Sequence, residues 1–507
     1  MAANEAPADV VVIGGGPVGL TGALLLARYG LRVVVFEKET APFPHPRAIH
    51  LDGDAVRLFR ALGLWDRVEP TTAHVAGMTF RGARGQALFT IGAGEAGDPA
   101  MDHGTVFWQP ALESALCDAL VAEPTATRLP GTEVERVRPV PDGAEVVAQS
   151  TAGECRIRAR FVLACDGAGS PTRRGLGIAM ETLGPSARWV VVDTHARHPE
   201  RLPKLAQQFC DPLRPATYVP GGGRHRRWEF HWPERHDPSP ADIDRLLAEH
   251  VPAGTVDVIR AAVYRFRSAL ATRWRRGPVL LAGDAAHQMP PFLGQGLASG
   301  LRDVRALAWR LALVHHGADA AGPLASWEAE RSAHVRTAIE RTGAAGRLIQ
   351  LQRGTAVRDG AFHLLRRLPR LLHGAVRRAA SHPPLPPGFV GPALPLAGHL
   401  APDGRVRGPQ GDEPVDRALL RGFAVLAPAP LPLEVARRWQ QAGGQILTPS
   451  TPALHAWTAG RAVVLRPDGY AYGALRGTGG VEFGRVLADV YRAAGRPRLL
   501  RLPYRAL

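Results

Sequence analysis

The sequence predicts an α/β protein in which a parallel, doubly wound sheet is interrupted by an inserted antiparallel sheet and followed by a smaller α/β domain. A strand, helix and strand open the chain, and this pattern indicates a parallel sheet. Alternating segments bounded by Pro and Gly follow later and indicate an antiparallel sheet. The 507 residues, 45% of them apolar, suffice for a large packed core.

The first elements form a βαβ unit. Residues 10–13 are a short apolar run typical of a strand, and residues 20–29 carry Ala and Leu in a helical pattern. Residues 31–36 (LRVVVF) indicate a second buried strand that ends at Glu37. Two parallel strands joined by a helix predict the beginning of a doubly wound sheet.

Later segments predict the domain organisation. The antiparallel pattern is clearest at residues 189–194 and 226–230, residues 301–379 are mainly helical, and residues 382–387 (HPPLPP) indicate an extended linker. The last α/β domain has strand-like runs at 422–426 and 462–465 and helical runs at 432–441 and 481–493. The predicted domains are 1–77, 100–185 and 267–380 for the parallel sheet, 78–99 and 186–266 for the antiparallel sheet, 381–393 for the linker and 394–507 for the last domain.

The charge composition does not indicate nucleic-acid binding. The formal net charge is +16, but the basic residues are almost all arginine, with Lys38 and Lys204 the only lysines. We interpret this excess of positive charge as drift in amino-acid composition, so no nucleic-acid partner is expected. The basic run 366–378 indicates a solvated helix face kinked at Pro369, with an anionic partner as the alternative.

Neither a membrane span nor a metal site is predicted. No run reaches the roughly 18 consecutive apolar residues of a spanning helix, and the N-terminus lacks a basic, then apolar, leader. We therefore expect a cytoplasmic protein without a membrane partner. Metal-type and CxxC spacings are absent among the cysteines, which are Cys117, Cys155, Cys165 and Cys210.

The first chemical motif is a glycine-rich turn, residues 14–19 (GGGPVG), between the first strand and the first helix. Gly14 and Gly16 permit a tight turn and close approach of a pyrophosphate to the helix N-terminus, while Gly19 permits close helix packing. Glu37, at the end of the second strand, can accept hydrogen bonds from ribose hydroxyls. Together these residues predict a dinucleotide site.

Two further strands end at carboxylates. Residues 161–169 (FVLACDGAG) contain a buried strand that stops at Asp166, and residues 278–291 (PVLLAGDAAHQMPP) deliver Asp284 toward a ribityl chain. A strand end of this kind places a carboxylate at the cofactor crevice. The glycines in residues 294–296 (GQG) allow the backbone to lie against a flat ring.

These three motifs resemble, in order and spacing, the single-component FAD-dependent aromatic hydroxylases related to para-hydroxybenzoate hydroxylase. The resemblance covers about residues 8–375 and implies a Rossmann-like FAD-binding domain with an inserted substrate-binding sheet. Pro46-Arg47-Ala48 and Gln109-Pro110 match further pieces of the family pattern. This match implies that Arg47 lies close to the flavin and that Gln109 contacts the cofactor.

Within the family the sequence is most similar to the 3-(3-hydroxyphenyl)propionate hydroxylases, through residues 189–193 (WVVVD), 210–215 (CDPLRP) and 227–230 (RWEF). Residues 465–470 (LRPDGY) resemble the thioredoxin-like domain that ends several of these enzymes. Because no cysteine follows Cys210, this domain cannot exchange disulfides, and packing or dimerisation is its expected task.

The resemblance implies an activity. NADH or NADPH reduces FAD, dioxygen then forms a flavin hydroperoxide, and its distal oxygen hydroxylates a small phenolic substrate. The nicotinamide is expected to bind transiently, because residues 477–480 (GTGG) lack a βαβ setting. The candidate catalytic residues are Arg47, His287 and Pro290. The candidate cofactor-binding residues are Gly14, Gly16, Pro17, Gly19, Glu37, Lys38, Arg47, Gln109, Asp166, Asp284, Gly294, Gln295, Gly296 and Leu297.

A phenolate reacts far better than a phenol, so a base or a positive field is expected beside the substrate. His287 and His225 are candidates, with loop orientation and plain solvent exposure as their respective alternative roles. Four aromatic side chains could either line a substrate pocket or fill an ordinary core. They are Tyr218, Trp228, Phe230 and Trp232.

The main alternative function is a tailoring oxygenase that acts on a polycyclic natural product with the same flavin chemistry. A flavin-dependent halogenase is disfavoured because the W-x-W-x-I-P segment is absent. The complete set of Arg47, Asp166, Asp284 and residues 294–296 disfavours a non-enzymatic flavin-binding scaffold. The exact substrate, the nicotinamide preference, the pathway and the oligomeric state, including a homodimer, stay open.

Overall fold

The structure of the chain is a computed structural model. It describes residues 8–91, 104–349, 351, 354–365, 367–368, 383–391, 394–475, 484, 486–488, 490 and 500–505. Three segments singled out in the sequence lie wholly or mostly outside these residues, namely the glycine-rich segment 477–480, the basic run 366–378 and the predicted helix 481–493. Residues 383–391, within the predicted linker, contain neither helix nor strand.

The described strands form four sheets. The strands are β1 Ala8–Ile13, β2 Val33–Glu37, β3 His50–Leu51, β4 Ala73–His74, β5 Met78–Arg81, β6 Ala87–Ile91, β7 Thr105–Val106, β8 Ala126–Pro130, β9 Thr132–Val140, β10 Gly143–Ser150, β11 Gly153–Ala164, β12 Met180–Ala196, β13 Ala206–Phe209, β14 Ala216–Pro220, β15 His225–His231, β16 Val256–Ala271, β17 Arg275–Arg276, β18 Val279–Leu281, β19 His287–Gln288, β20 Arg405–Gly408, β21 Gly411–Pro414, β22 Ala424–Leu426, β23 Gln445–Pro449, β24 Val463–Leu465 and β25 Ala471–Ala474.

The α-helices lie between and around these sheets. They are α1 Pro17–Arg28, α2 Gly53–Ala61, α3 Trp65–Val68, α4 Gln109–Val121, α5 Pro171–Gly175, α6 Pro240–Ala248, α7 Gln295–His315, α8 Ala321–Ile349, α9 Thr355–Leu365, α10 Val415–Leu419, α11 Leu433–Gln441 and α12 Pro452–Thr458. Across the described part of the chain, no helix combines the length and apolar character needed to cross a bilayer.

The first sheet contains the predicted βαβ unit. Its strand order is β17-β18-β11-β1-β2-β8, with β10 and β9 continuing from β11. β1 runs parallel to β2 and β11, and β11 runs parallel to β18. Most residues of the apolar strands that predicted this sheet are buried in it, as Val10 and Val12 illustrate. Because these four strands are parallel, their carboxyl ends form one edge, which we call the crevice edge.

The second sheet is antiparallel, as predicted, except for one pair. Its order is β19-β16-β12-β15-β14-β13-β5-β6. β13 and β5 run parallel, and β5 pairs in turn with β6, so a hairpin from an earlier part of the chain forms this edge of the sheet. β12 and β16 run through the predicted domain boundaries at 185/186 and 266/267, so the antiparallel sheet extends beyond the predicted bounds at both ends.

The third large sheet lies in the C-terminal part and has the order β21-β20-β23-β22-β24-β25. Two of its strands agree with the predicted runs to within two residues, since β22 begins at Ala424 and β24 at Val463. A buried ion-pair cluster fixes this part to the long helices. Arg466 donates to Glu330 of α8 at 2.9 and 3.0 Å, and Glu330 also accepts from Arg310 of α7 at 2.8 Å.

Candidate active site

The glycine-rich turn lies at the crevice edge, between β1 and α1. Gly14 has φ +102°, a left-handed conformation that favours glycine, and a Cβ at this position would collide with the carbonyl oxygen of Cys165. A Cβ at Gly19 would collide in the same way with the carbonyl oxygen of Gly14. Gly16, just before Pro17 begins α1, faces open space with no heavy atom within 4 Å of its would-be Cβ.

Glu37 follows the turn closely. Its Oε2 accepts from the backbone N–H of Gly15 at 2.5 Å and its Oε1 from that of Glu39 at 2.8 Å. A carboxylate has acceptor capacity beyond two such bonds. Lys38, in contrast, is exposed, and its ammonium lies 3.7 Å from Glu39 at the surface.

Asp166 and Asp284 follow neighbouring strands. Asp166 caps α5, accepting from the Ser170 hydroxyl at 2.5 Å and from the Thr172 N–H at 3.0 Å. Arg173 of the same helix donates to the carbonyl of Ala285 at 3.0 Å, which ties the two strand ends together. Both predicted carboxylates therefore lie at the crevice edge.

The environment of Asp284 is that of a carboxylate in a cleft. Its side chain is exposed to solvent, yet the surrounding protein is dense enough that desolvation raises its pKa. The nearby charges of His287 and Arg47 oppose this shift. Arg47 therefore reaches the same crevice, although 237 residues separate it from Asp284 in sequence.

His287 lies behind the crevice edge. It is fully buried, stacks on Trp274 with ring centroids 5.4 Å apart, and its Nε2 lies 2.7 Å from Asp303 of α7. Asp303 also accepts from the Gly283 N–H at 3.1 Å and from Arg331 at 2.9 Å. Burial alone would raise the pKa of Asp303, but the interactions with His287, Arg331 and the Gly283 N–H outweigh burial, so the pKa is lowered. This geometry fits loop orientation, one of the two roles considered for His287.

The segment around Arg47 is held from two sides. Gln109 of α4 accepts from the N–H groups of Arg47 and Ala48 at 2.9 and 2.7 Å, and it donates to Glu113 at 2.6 Å. Arg227 of β15 donates to the carbonyls of Pro46 and Arg47 at 2.5 and 2.9 Å. The Arg47 guanidinium itself stays exposed at the crevice and stands 5.1 Å from the Phe43 ring centroid.

Sequence reasoning missed the pair that anchors Arg227. Asp193 of β12 is its cross-strand neighbour and accepts from the guanidinium at 2.8 and 3.1 Å. The sequence leaves His225 as either a base or a solvent-exposed side chain; in the structure it is 5% exposed and lies 2.9 Å from Asp193. The alternation of polar residues along β15 was the available signal, because residues two apart share a sheet face.

The segment before α7 forms another border of the crevice. Pro290 is buried, and Gly294 has φ +61°, with a would-be Cβ only 2.8 Å from His50 Nδ1. The half-buried first turn of α7 follows with Gln295, Gly296 and Leu297. Between Pro290 and Gly294, the ring of Phe292 packs against Trp189 and Phe266 of the antiparallel sheet.

The four aromatic candidates lie in a core. Trp228 and Phe230 pack with Val190 and Val192 on the face of the antiparallel sheet that α6 covers. Tyr218 and Trp232 belong to the same buried cluster. The core interpretation is therefore the one that fits these side chains.

Comparison with known proteins identifies the family. Residues 7–342 match the family model described as FAD binding domain. The chain is 31% identical to a probable NADH-specific resorcinol 4-hydroxylase of Rhodococcus jostii (strain RHA1), over 94% of this chain and 93% of the relative. The chain belongs to the family of FAD-dependent aromatic hydroxylases. This hydroxylase is also 33% identical to a 3-(3-hydroxy-phenyl)propionate/3-hydroxycinnamic acid hydroxylase of Mycolicibacterium smegmatis (strain ATCC 700084 / mc(2)155), over 89% and 83% of the two chains.

The overall fold of the hydroxylase matches a solved structure of the same kind. The flavin-dependent monooxygenase PieE, solved in complex with FAD and substrate, aligns with a TM-score of 0.81 at 21% identity, over 98% of this chain and all of the other. At this level of identity the likeness concerns the fold alone.

The crevice of the hydroxylase fits an FAD molecule. Gly16 opens onto free space at the N-terminus of α1, where unpaired N–H groups and the helix dipole attract phosphate. Glu37 has acceptor capacity for ribose hydroxyls, and Asp284 presents an exposed carboxylate within the cleft. These features fit an anionic, hydroxyl-rich cofactor.

Proposed function

We propose that this hydroxylase uses NADH or NADPH and dioxygen to add one hydroxyl group to a small phenol, of the class that includes 3-(3-hydroxyphenyl)propionate and resorcinol. The names of the relatives support this substrate class. The structural observation that carries the proposal is the position of Arg47. Its segment is bound by Gln109 on one side and Arg227 on the other, so a cation borders the crevice where the two sheets meet.

The residues of the crevice have distinct tasks in this proposal. When bound, FAD supplies the redox chemistry that activates dioxygen. The turn containing Gly14, Gly16, Pro17 and Gly19 would hold the pyrophosphate, Glu37 the ribose and Asp284 the ribityl chain.

The remaining site residues position these groups or border the reaction site. Asp166 would fix the strand end beside the cofactor, and Gln109 would hold the Arg47 segment in place. Pro290 and the first turn of α7, with Gly294 to Leu297, would exclude water and border the flat ring. Arg47 would supply a positive field for a phenolate.

The proposal also covers the domain organisation. The three large sheets and their strand orders support three parts: a Rossmann-like FAD-binding domain, an inserted substrate sheet and a thioredoxin-like domain in residues 394–507. The C-terminal part would act by packing, since its buried Arg466 and Asp468 bind the long helices.

The test is oxidation of NADH and of NADPH by the purified, flavin-loaded protein with a panel of simple and polycyclic phenols. We expect turnover with 3-(3-hydroxyphenyl)propionate, resorcinol or a near relative, and a product heavier by one oxygen. Turnover confined to polycyclic phenols would replace this proposal by the tailoring function.

A further inference from the structure

The antiparallel sheet has a second, polar face. Side chains alternate between the two faces of a sheet, and residues paired across antiparallel strands share a face. β12 pairs Trp189 with Tyr264 of β16 and pairs Asp193 with Arg227 of β15. Two residues beyond Arg227, Glu229 lies on the same face. This polar face is opposite to the apolar face that α6 covers.

The polar face contacts both borders of the crevice. At one end, Arg227 binds the carbonyls of Pro46 and Arg47. At the other end, the Phe292 ring packs against Trp189 and Phe266, with centroids 5.7 and 5.4 Å apart.

Glu229 and Tyr264 occupy the part of the face between these contacts. Both are half-buried, whereas Val190 and Phe230 on the opposite face are 0% exposed. The two side chains therefore line the region where a substrate would lie.

Glu229 and Tyr264 are bonded to each other. The Tyr264 hydroxyl donates to Glu229 Oε2 at 3.2 Å. Burial raises the pKa of Glu229, and Asp193 adds to the rise, while Arg227 and the Tyr264 hydrogen bond oppose it. Burial and the neighbouring carboxylate also raise the pKa of Tyr264. A carboxylate in this setting accepts a proton more readily than an exposed one.

We propose that Tyr264 and Glu229 form a relay that removes the proton from the phenolic hydroxyl of the substrate. The relay rests on the proposed function, because it requires a phenolic substrate. The substrate O–H bond breaks, and its proton passes to Tyr264 Oη while Tyr264 gives its own proton to Glu229 Oε2. The electron pair stays on the substrate oxygen, so the products are a phenolate and a neutral Glu229 carboxyl group. Tyr264 touches the substrate, and Glu229 acts through it.

Other charged groups face this pair, and their contribution to any pH dependence must be distinguished from that of Glu229 and Tyr264. Arg227 lies on the same strand as Glu229, Asp193 lies on β12, and Arg260 of β16 is 3.8 Å from Asp193. His231 is the next residue on this face of β15, and burial lowers its pKa. A His231→Gln variant therefore tests whether any pH dependence comes from the histidine.

The test uses the flavin-loaded protein with the variants Tyr264→Phe and Glu229→Gln. The first readout is the absorbance of bound 4-nitrophenol, which reports whether the bound phenol is ionised. We expect its apparent pKa to be higher in both variants than in the wild type. The second readout is the hydroxylation rate against pH. We expect a loss of about 100-fold at neutral pH, recovering as the pH approaches the range, near about 10, in which simple phenols ionise unaided.

The control is Tyr218→Phe, which removes a hydroxyl that donates to the Pro203 carbonyl at 3.0 Å in the opposite core. We expect this variant and His231→Gln to keep the wild-type nitrophenol signal. Unchanged nitrophenol ionisation in both relay variants would overturn the relay, as would a rate loss of equal size at every pH. If the wild type hydroxylates no phenol, the proposed function fails, while nitrophenol ionisation still decides whether the pair takes a proton.

Discussion

Asp284 illustrates how a single residue can report a cofactor site. Its carboxylate is exposed to solvent, but the crevice around it disfavours the charged form and raises its pKa. A carboxylate in such a cleft gains by accepting hydrogen bonds from a hydroxyl-rich ligand. The position of Asp284 was predictable, because the parallel strands β11 and β18 must end at one edge.

Replacing Asp284 with Ala should weaken FAD retention by about 1–3 kcal/mol, because ribityl hydroxyls lose their acceptor. The measurement is flavin content after dialysis at increasing dilution. Asp244→Ala, at an exposed position of α6, is the matched control and should keep its flavin. Equal retention in the two variants would remove Asp284 from the site.

Histidines were the residues that the sequence could least resolve. The motif placed His287 next to Asp284, but only the fold shows that its imidazole turns away from the crevice to Asp303, 16 residues later on α7. His225 was equally ambiguous, since its partner Asp193 lies on another strand. Side-chain direction depends on tertiary packing that no local pattern encodes.

If His287 orients the loop, His287→Leu should destabilise the protein by about 1–3 kcal/mol, because the buried Asp303 loses one of its hydrogen-bond partners, and flavin retention should fall. His287→Gln, which keeps a donor, should be milder in both respects. The measurements are denaturant unfolding, the flavin content, and the hydroxylation rate of the flavin-loaded protein as a function of pH. A profile of altered shape with normal flavin content would instead make His287 a catalytic base.

At the scale of elements, the turn between β1 and α1 combines two demands. Gly19 must let α1 pack against the turn, whereas Gly16 leaves space at the helix N-terminus. The sequence predicted both glycines, because their spacing within a βαβ unit has a mechanical reason. It could not predict that β12 and β16 continue past the predicted boundaries at 185/186 and 266/267, because alternation marks a strand but not where a domain begins.

Gly16→Ala and Gly19→Ala should therefore differ. The Gly16 φ of −76° suits alanine, so Gly16→Ala should fold normally but lose about 10- to 100-fold in FAD affinity, as its methyl group enters the cofactor space. Gly19→Ala should also lower the Tm, since its methyl group meets the Gly14 carbonyl. Thermal unfolding of the flavin-free proteins, with FAD titration, separates the effects, and a Tm loss in Gly16→Ala would contradict this account.

At the scale of the whole molecule, buried ion pairs hold the C-terminal part to the helices of the first sheet. Asp416 of α10 accepts from Arg57 of α2 and from Arg305 of α7, each at 2.8 Å. Because the partners are 359 and 111 residues apart, sequence patterns predicted the C-terminal elements but not how they dock. Buried charges of this kind are costly to leave without a partner.

The pKa of Asp416 is lowered to about 2, because Arg57 and Arg305 outweigh its burial. A lowered folded-state pKa stabilises the fold above the unfolded value of about 3.9, and this contribution disappears as the pH falls toward 2. Asp416→Asn should cost about 3–5 kcal/mol at neutral pH and should flatten the decrease in stability between about pH 4 and pH 2. Urea unfolding across this range measures both effects. A variant as stable as the wild type would show that this contact does not hold the C-terminal part.

Transfer of an oxygen atom from dioxygen to a phenol distinguishes a hydroxylase from a flavoprotein that only oxidises nicotinamide. The flavin-loaded protein is supplied with NADH or NADPH, 3-(3-hydroxyphenyl)propionate or resorcinol, and heavy-isotope dioxygen, and the product is examined by mass spectrometry. We expect a product carrying one heavy oxygen atom for each nicotinamide oxidised. Nicotinamide oxidation that yields only hydrogen peroxide across the phenol panel, or a purified protein that binds no flavin, would contradict it.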